Sequence, residues 1–119
     1  MASDRQYREE IIRFGRMLHE RGFVAATDGN LSVRLDHRRI LATPTSMSKG
    51  MMRASDLVIV DMEERRIAGR RDVSSEIGMH LLIYRLRPDV RGVVHAHPPR
   101  QPGLPPPDSL STSPLCARW

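Results

Sequence analysis

The sequence predicts an α/β fold in which two helices alternate with short strands. Its 119 residues suit one domain with a single modest core. Apolar residues recur at helical spacing near the N-terminus and again after Ser74. The stretches between these segments alternate apolar with polar residues or form short apolar runs, which is typical of strands.

The first helix is predicted over about residues 4–21, where Ser3 or Asp4 can cap its start and Gly22 can end it. The predicted strands cover, in chain order, residues 31–35, 40–43, 57–60, 67–68 and 90–96. A second helix is predicted to open at Ser74-Ser75-Glu76 and to end at Pro88, because proline cannot continue a helix.

The composition changes after Pro99. Residues 100–119 contain prolines, serines and a glycine but show neither a helical nor a strand period. We therefore predict one folded portion over residues 1–99, followed by a Pro-rich tail over 100–119 that is disordered or poorly packed.

The net charge of +5 and the pI near 10.6 raise the possibility of a nucleic-acid partner. The arginines are dispersed, however, and many stand beside carboxylates, while aromatic residues make up only 4% of the chain. This pattern argues against a nucleic-acid interface. No apolar run approaches the roughly 20 residues that span a bilayer, and the N-terminus lacks a secretory apolar region. We predict a soluble, cytoplasmic protein with no membrane partner.

His95-Ala96-His97 is the sharpest local motif. Residues i and i+2 of a strand face the same side, so the two imidazoles can project in parallel and bind one divalent metal. Two unrelated histidines near a strand end are the alternative. The single cysteine, Cys116, excludes a zinc site built from cysteines.

Ser74-Ser75-Glu76 is the second motif. A helix start with serine hydroxyls can bind an anion such as phosphate, although simple helix capping explains the serines as well. Glu76 stands four residues before His80, so the two share a helical face, and a carboxylate there can act as an acid and a base.

Two turn clusters, Gly29-Asn30 and Thr43-Pro44-Thr45-Ser46, offer further donors to phosphate oxygens, although ordinary turn chemistry also explains them. Lys49 is either a counter-charge for phosphate or, as we expect, a solvated surface lysine.

Taken in order along the chain, these motifs closely resemble the class II aldolase/adducin family, and within it the fuculose-phosphate aldolases. The resemblance covers about residues 5–99. It implies a class II aldolase-like sheet flanked by helices, and retro-aldol cleavage of a phosphorylated ketose with a divalent metal, which we expect to be Zn²⁺. Epimerases and dehydratases of sugar phosphates, and an adducin-like interaction module, are alternatives within the family.

The resemblance also assigns residues. His95 and His97 would be metal ligands, and Glu76 the catalytic acid/base near the metal. The substrate phosphate would be held by Asn30, Thr45, Ser46, Ser74 and Ser75. Glutamate at position 76 favours an aldolase over an epimerase, whose corresponding residue is an aspartate.

Family members are considerably longer and form homotetramers. Their third histidine ligand lies downstream of the pair, whereas residues 100–119 contain no histidine. The resemblance therefore predicts an incomplete fold with the C-terminal half missing, an exposed sheet edge, and weak metal binding by two histidines.

Overall fold

The computed structural model describes residues 3–22 and 29–96, together with the backbone of 115–117. Its helices are α1 (Asp4–Glu20) and α2 (Ile77–Leu86), and a short 3₁₀ turn covers Ala54–Asp56. Its strands are β1 (Asn30–Arg34), β2 (Ile40–Ala42), β3 (Val58–Val60), β4 (Arg66–Ala68), β5 (Gly92–His95) and β6 (Leu115–Ala117). The predicted mixture of helices and strands is confirmed.

The strands form one six-stranded sheet in the order β4-β3-β2-β1-β5-β6. Each described pairing is antiparallel. Strand β1 lies between β2 and β5, and Asn30 stands opposite His95 in the β1–β5 register. This pairing places two of the predicted site residues side by side although they lie far apart in the sequence.

Successive strand residues point to opposite sides, which gives the sheet two faces. The two helices pack on opposite faces. Tyr7 and Ile11 of α1 join a buried cluster with Leu31 and Val33 of β1. Leu81 of α2 belongs to the other cluster, whose strand members are Ile40, Ala42, Val58, Val60 and Val93. Within the described residues, neither helix is both long and apolar enough to cross a membrane.

Helix α2 begins at Ile77 rather than at the predicted Ser74. The preceding segment is held by the neighbouring loop instead: Val73 bridges to Pro44, and the Ser74 amide donates to the carbonyl of Thr43 at 3.4 Å. These contacts keep residue 74 outside the helix, so Glu76 becomes the residue that flanks its first turn.

A strand that the sequence did not predict lies at Leu115–Ala117, whose backbone pairs with Gly92–Val94 of β5. An edge strand presents unpaired amide and carbonyl groups, which gives such a segment a place to pair. The rest of the tail lies outside the described residues, and the boundary at Pro99 stays a prediction.

Candidate active site

Glu76 and His95 meet at one end of the sheet. Glu76 precedes α2, and His95 is the last residue of β5. The Nδ1 atom of His95 lies 2.5 Å from Oε2 of Glu76, and the two side chains are 15% and 45% exposed. The imidazole and the carboxylate therefore converge on the same side of the sheet, partly open to solvent.

Asn30 completes this contact from the neighbouring strand. Its side chain is buried, and Nδ2 donates to the same Oε2 atom of Glu76 at 2.5 Å. One carboxylate oxygen thus contacts both Asn30 and His95. A carboxylate oxygen can accept hydrogen bonds from two donors, so both neighbours fix the position of Glu76.

His80 lies one turn further along α2 and is only 1% exposed. Its Nε2 atom bonds to Oδ1 of Asn30, and its Nδ1 atom lies 2.6 Å from the hydroxyl of Ser32. That hydroxyl also lies 2.7 Å from the hydroxyl of Tyr84. Burial, aided by the nearby charge of His95 and opposed by that of Glu76, lowers the pKa of His80 to about 4.

Sequence reasoning placed His80 on the face of Glu76 but did not assign it, Ser32 or Tyr84 to the site. A signal for all three is present. Residues 76, 80 and 84 follow the spacing of one helical face, and residues 30 and 32 follow the spacing of one strand face. Polar residues at matching positions on two elements that pack together indicate a shared buried network.

The predicted phosphate-binding segments are neighbours in the structure. The Thr45 amide donates to the carbonyl of Asp72 at 2.9 Å, which joins the loop after β2 to the segment before α2. Thr45, Ser46 and Ser75 are exposed. The hydroxyl of Ser74 accepts from the amide of Glu76 at 3.2 Å. Contact of these two segments with a phosphate stays a prediction.

Lys49 is not the solvated surface lysine expected from the sequence. It is only 2% exposed, and its Nζ atom donates to the carbonyl of Met47 at 2.8 Å. The loop that carries it packs on α1, where a Cβ atom added to Gly15 would lie 2.8 Å from the carbonyl oxygen of Lys49. This close packing removes the lysine from solvent.

Imidazole and carboxylate are donors that zinc and other divalent ions accept. His95 and Glu76 supply two such donors in contact. His97, the other predicted ligand, lies outside the described residues. In the portion that the structure describes, no group of three or more His, Cys, Asp or Glu side chains is arranged to hold a metal. The chemistry of these two donors fits a divalent ion.

These features can be compared with known proteins. Residues 9–101 match the family described as the Class II Aldolase and Adducin N-terminal domain. The chain belongs to this family. The predicted family and the fold that it implies are thereby confirmed.

Among curated relatives, the 3-oxo-tetronate 4-phosphate decarboxylase of Haemophilus influenzae is 38% identical over 95 residues, covering 80% of this chain and 45% of the relative. The methylthioribulose-1-phosphate dehydratase of Methylococcus capsulatus is 41% identical over 90 residues, covering 76% of this chain and 44% of the relative. The chain therefore spans less than half the length of these relatives.

Two solved structures show the same likeness. YgbL of Klebsiella pneumoniae superposes with a TM-score of 0.79 at 31% identity, covering 89% of this chain and 54% of that chain. An L-fuculose 1-phosphate aldolase superposes with a TM-score of 0.74 at 34% identity, covering 82% and 46%. Class II aldolase family members with named lyase activities thus share this fold.

Proposed function

We propose that this chain carries the acid–base part of a metal-dependent lyase site that cleaves a phosphorylated ketose such as fuculose 1-phosphate. The observation that supports it best is the junction at Oε2 of Glu76, which contacts Nδ1 of His95 and Nδ2 of Asn30, each at 2.5 Å. A partly exposed carboxylate fixed by two neighbours is suited to proton transfer.

Glu76 is the proposed proton carrier. In retro-aldol cleavage, a base removes the proton of the hydroxyl beside the breaking carbon–carbon bond. An acid then returns a proton to the carbon that keeps the electron pair. One carboxylate can do both in turn, because it becomes protonated in the first step. Its 45% exposed side chain leaves room for a substrate to approach.

His95 and His97 are the proposed ligands of a divalent ion, with Zn²⁺ the ion expected. Such an ion would supply Lewis-acid stabilisation of the negative charge that develops on substrate oxygen. When Nδ1–H of His95 donates to Glu76, Nε2 is the ring nitrogen that can ligate a metal.

Backbone amides and hydroxyls before α2 and after β2 are the proposed phosphate site. The residues are Thr45, Ser46, Ser74 and Ser75, with Asn30 beside them. The structure supports this by joining the two segments through Thr45 and Asp72. The amide of Asn30 is used by Glu76 and His80, so we propose that its first role is to hold Glu76.

A dehydratase acting on a sugar phosphate is the second candidate. The names of several sequence relatives favour it, including the dehydratase of Hahella chejuensis at 37% identity over 89 residues. Dehydration also needs one group that removes a proton and returns it to a leaving hydroxyl. The same carboxylate could serve, so the substrate rather than Glu76 separates the two candidates.

The test is an assay of the full chain with Zn²⁺ and either fuculose 1-phosphate or methylthioribulose 1-phosphate. Cleavage is followed by release of the three-carbon phosphate, and dehydration by the loss of water in the mass spectrum. We expect Glu76→Gln to lower turnover by about 10²- to 10⁴-fold. The matched control is Glu63→Gln, which alters an exposed glutamate in the turn between β3 and β4.

Turnover of the first substrate supports the aldolase, and turnover of the second alone supports the dehydratase. Equal turnover by Glu76→Gln and the unmodified chain would exclude the acid–base role. If the unmodified chain converts neither compound with any divalent ion, the proposed activity of this chain is wrong.

A further inference from the structure

One face of β1 and one face of α2 meet in a row of polar side chains that leads from the candidate active site into the core. We call this row the polar ladder; its members are Glu76, Asn30, His80, Ser32 and Tyr84, in that order. Consecutive members are hydrogen-bonded. Asn30, Ser32, His80 and Tyr84 are all buried, so water does not substitute for the bonds among these four residues.

The direction of each bond follows from the ladder's solvent-exposed end. Nδ2 of Asn30 donates to Oε2 of Glu76, so the NH₂ group of Asn30 faces the carboxylate. The carbonyl oxygen of Asn30 then faces His80. A carbonyl oxygen also only accepts, so Nε2 of His80 must carry a proton.

The inner half of the ladder continues in the same sense. Burial keeps the imidazole of His80 neutral, and a neutral ring carries one proton. With that proton on Nε2, Nδ1 accepts from the hydroxyl of Ser32. The oxygen of Ser32 in turn accepts from the hydroxyl of Tyr84. Each donor in the ladder therefore points toward Glu76.

The far end of the ladder is anchored. The guanidinium of Arg34 donates to the carbonyl oxygen of Tyr84 at 2.8 Å and lies 4.8 Å from the centre of its ring. Arg34 follows Ser32 by two residues on the same strand face. These contacts fix the position of Tyr84 relative to β1, and therefore the distance between Tyr84 and Ser32.

We propose that His80 is a positioning residue: as the Nε2–H tautomer, it holds Asn30 with its NH₂ group toward Glu76 and so aims the carboxylate at the substrate. Ser32 and Tyr84 set that tautomer from the core side. The orientation of Asn30 follows from hydrogen bonding alone, whereas its value for catalysis rests on the function proposed above.

The first test reads the tautomer directly. Long-range ¹H–¹⁵N correlation spectra of the full 119-residue chain at pH 7 report which ring nitrogen of each histidine is protonated. We assign the His80 signals by their loss in His80→Gln. The proposal requires a protonated Nε2 and an unprotonated Nδ1. A protonated Nδ1 as the main form would overturn it.

The second test reads the Asn30 side-chain amide. In the unmodified chain we expect its hydrogens to be protected from exchange, because Asn30 is 4% exposed and its Nδ2 atom donates to Glu76. His80→Phe removes the bond to the Asn30 carbonyl oxygen while keeping a ring, and exchange should then be at least about tenfold faster. His80→Gln can still donate to Asn30 and should restore most of the protection. Unchanged exchange in His80→Phe would contradict the positioning role.

The third test uses turnover of the substrate identified for the full chain. His80→Phe should lower kcat by about 10- to 100-fold with KM within twofold, because a misaimed group slows the reaction without weakening binding. His80→Gln should recover to within tenfold of the unmodified chain. Equal losses in both variants would show a packing role only and would overturn the proposal.

These three tests also distinguish a failure of the proposed function from a failure of the positioning role of His80. If the unmodified chain has no activity, the proposed function fails while the spectra still decide the orientation of Asn30. Should His80→Phe not fold, the tautomer of the unmodified chain and the behaviour of His80→Gln decide in its place.

Discussion

Each face of the sheet carries an apolar cluster, but the two faces differ at strand β1. Its residues Leu31 and Val33 point toward α1 and belong to a cluster of apolar and aromatic side chains. Its residues Asn30 and Ser32 point toward α2 and bond to His80. One strand thus supplies apolar packing to one helix and a polar network to the other.

The two sides of β1 therefore stabilise the fold by different interactions, apolar burial on one side and hydrogen bonding on the other. Burial of apolar area stabilises the α1 face without directional demands. On the α2 face, buried polar groups must each find a partner, so that face is more easily disturbed but fixes side-chain positions more narrowly. The candidate active site lies on the second face, where position matters.

The largest stability effect is expected on the apolar face. Leu31→Ala removes a side chain that is 2% exposed, and should lower the free energy of unfolding by about 3 kcal/mol because it leaves a cavity. Urea unfolding of the full chain measures this. The His80 tautomer should not change, since Leu31 faces the other helix.

The control for that variant is Ile67→Ala, an exposed position on β4 at 51% exposure, which should change stability by less than about 0.5 kcal/mol. A similar loss at both positions would mean that the α1 face is not the packed core described here.

The next largest effect is a pH dependence specific to the polar face. The pKa of His80 is lowered from 6.5 to about 4, so the unfolded chain takes up this proton at a higher pH than the native chain does. Its contribution is complete above pH 6.5 and is lost as the pH falls toward 4. Between pH 7 and pH 5 we expect a loss of about 2 kcal/mol.

Urea unfolding at several pH values tests this, with His80→Gln as the comparison. The hydrogen bonds and charges of nearby arginines lower the pKa of Asp36 and Asp56, and their contributions are lost only below about pH 4. The two windows are therefore separate. An equal loss between pH 7 and pH 5 in both proteins would contradict the assignment to His80.

Ser32→Ala should lower the free energy of unfolding by about 1–2 kcal/mol, because it leaves Nδ1 of His80 buried without its donor. Thermal or urea unfolding measures the change. Ser55→Ala, at an exposed position of the 3₁₀ turn, is the matched control and should have almost no effect. If both variants lose the same stability, the hydroxyl of Ser32 is not part of a required network.

Tyr84→Phe should have the smallest effect of the series, about 1 kcal/mol, because the ring still packs and only one hydrogen bond is lost. The same unfolding measurement applies. A loss above about 3 kcal/mol would contradict this expectation and indicate that the Tyr84 hydroxyl stabilises the network more than the Ser32 hydroxyl does.

Much of the fold could be predicted because it follows from periodicity. Helix α1 was predicted to about residue 21 and ends at Glu20, and the apolar run before Asp61 forms β3 at Val58–Val60. The start of α2 was misjudged because Ser74 has the residue type of a helix cap, yet its amide is taken by Thr43. Such a contact is tertiary and leaves no local signal.

The candidate site was predictable in part. Glu76 and His95 were expected to converge, and the structure brings them together. Asn30 was expected to bind phosphate, which stays a prediction. Its contact with Glu76, which depends on the β1–β5 register, was not expected. Lys49 was expected in solvent but is buried. Its loop packs against α1 at Gly15, a tertiary contact that the sequence alone does not show.

The most direct test of the central claim is metal binding at His95, one of the two histidines proposed as ligands. Zn²⁺ or Co²⁺ is titrated into the full chain, into His95→Ala, and into His37→Ala, which removes an exposed histidine of the turn after β1. We predict that the chain binds the ion, that His95→Ala weakens binding by at least about tenfold, and that His37→Ala does not. Indistinguishable binding by His95→Ala and the unmodified chain would contradict the account.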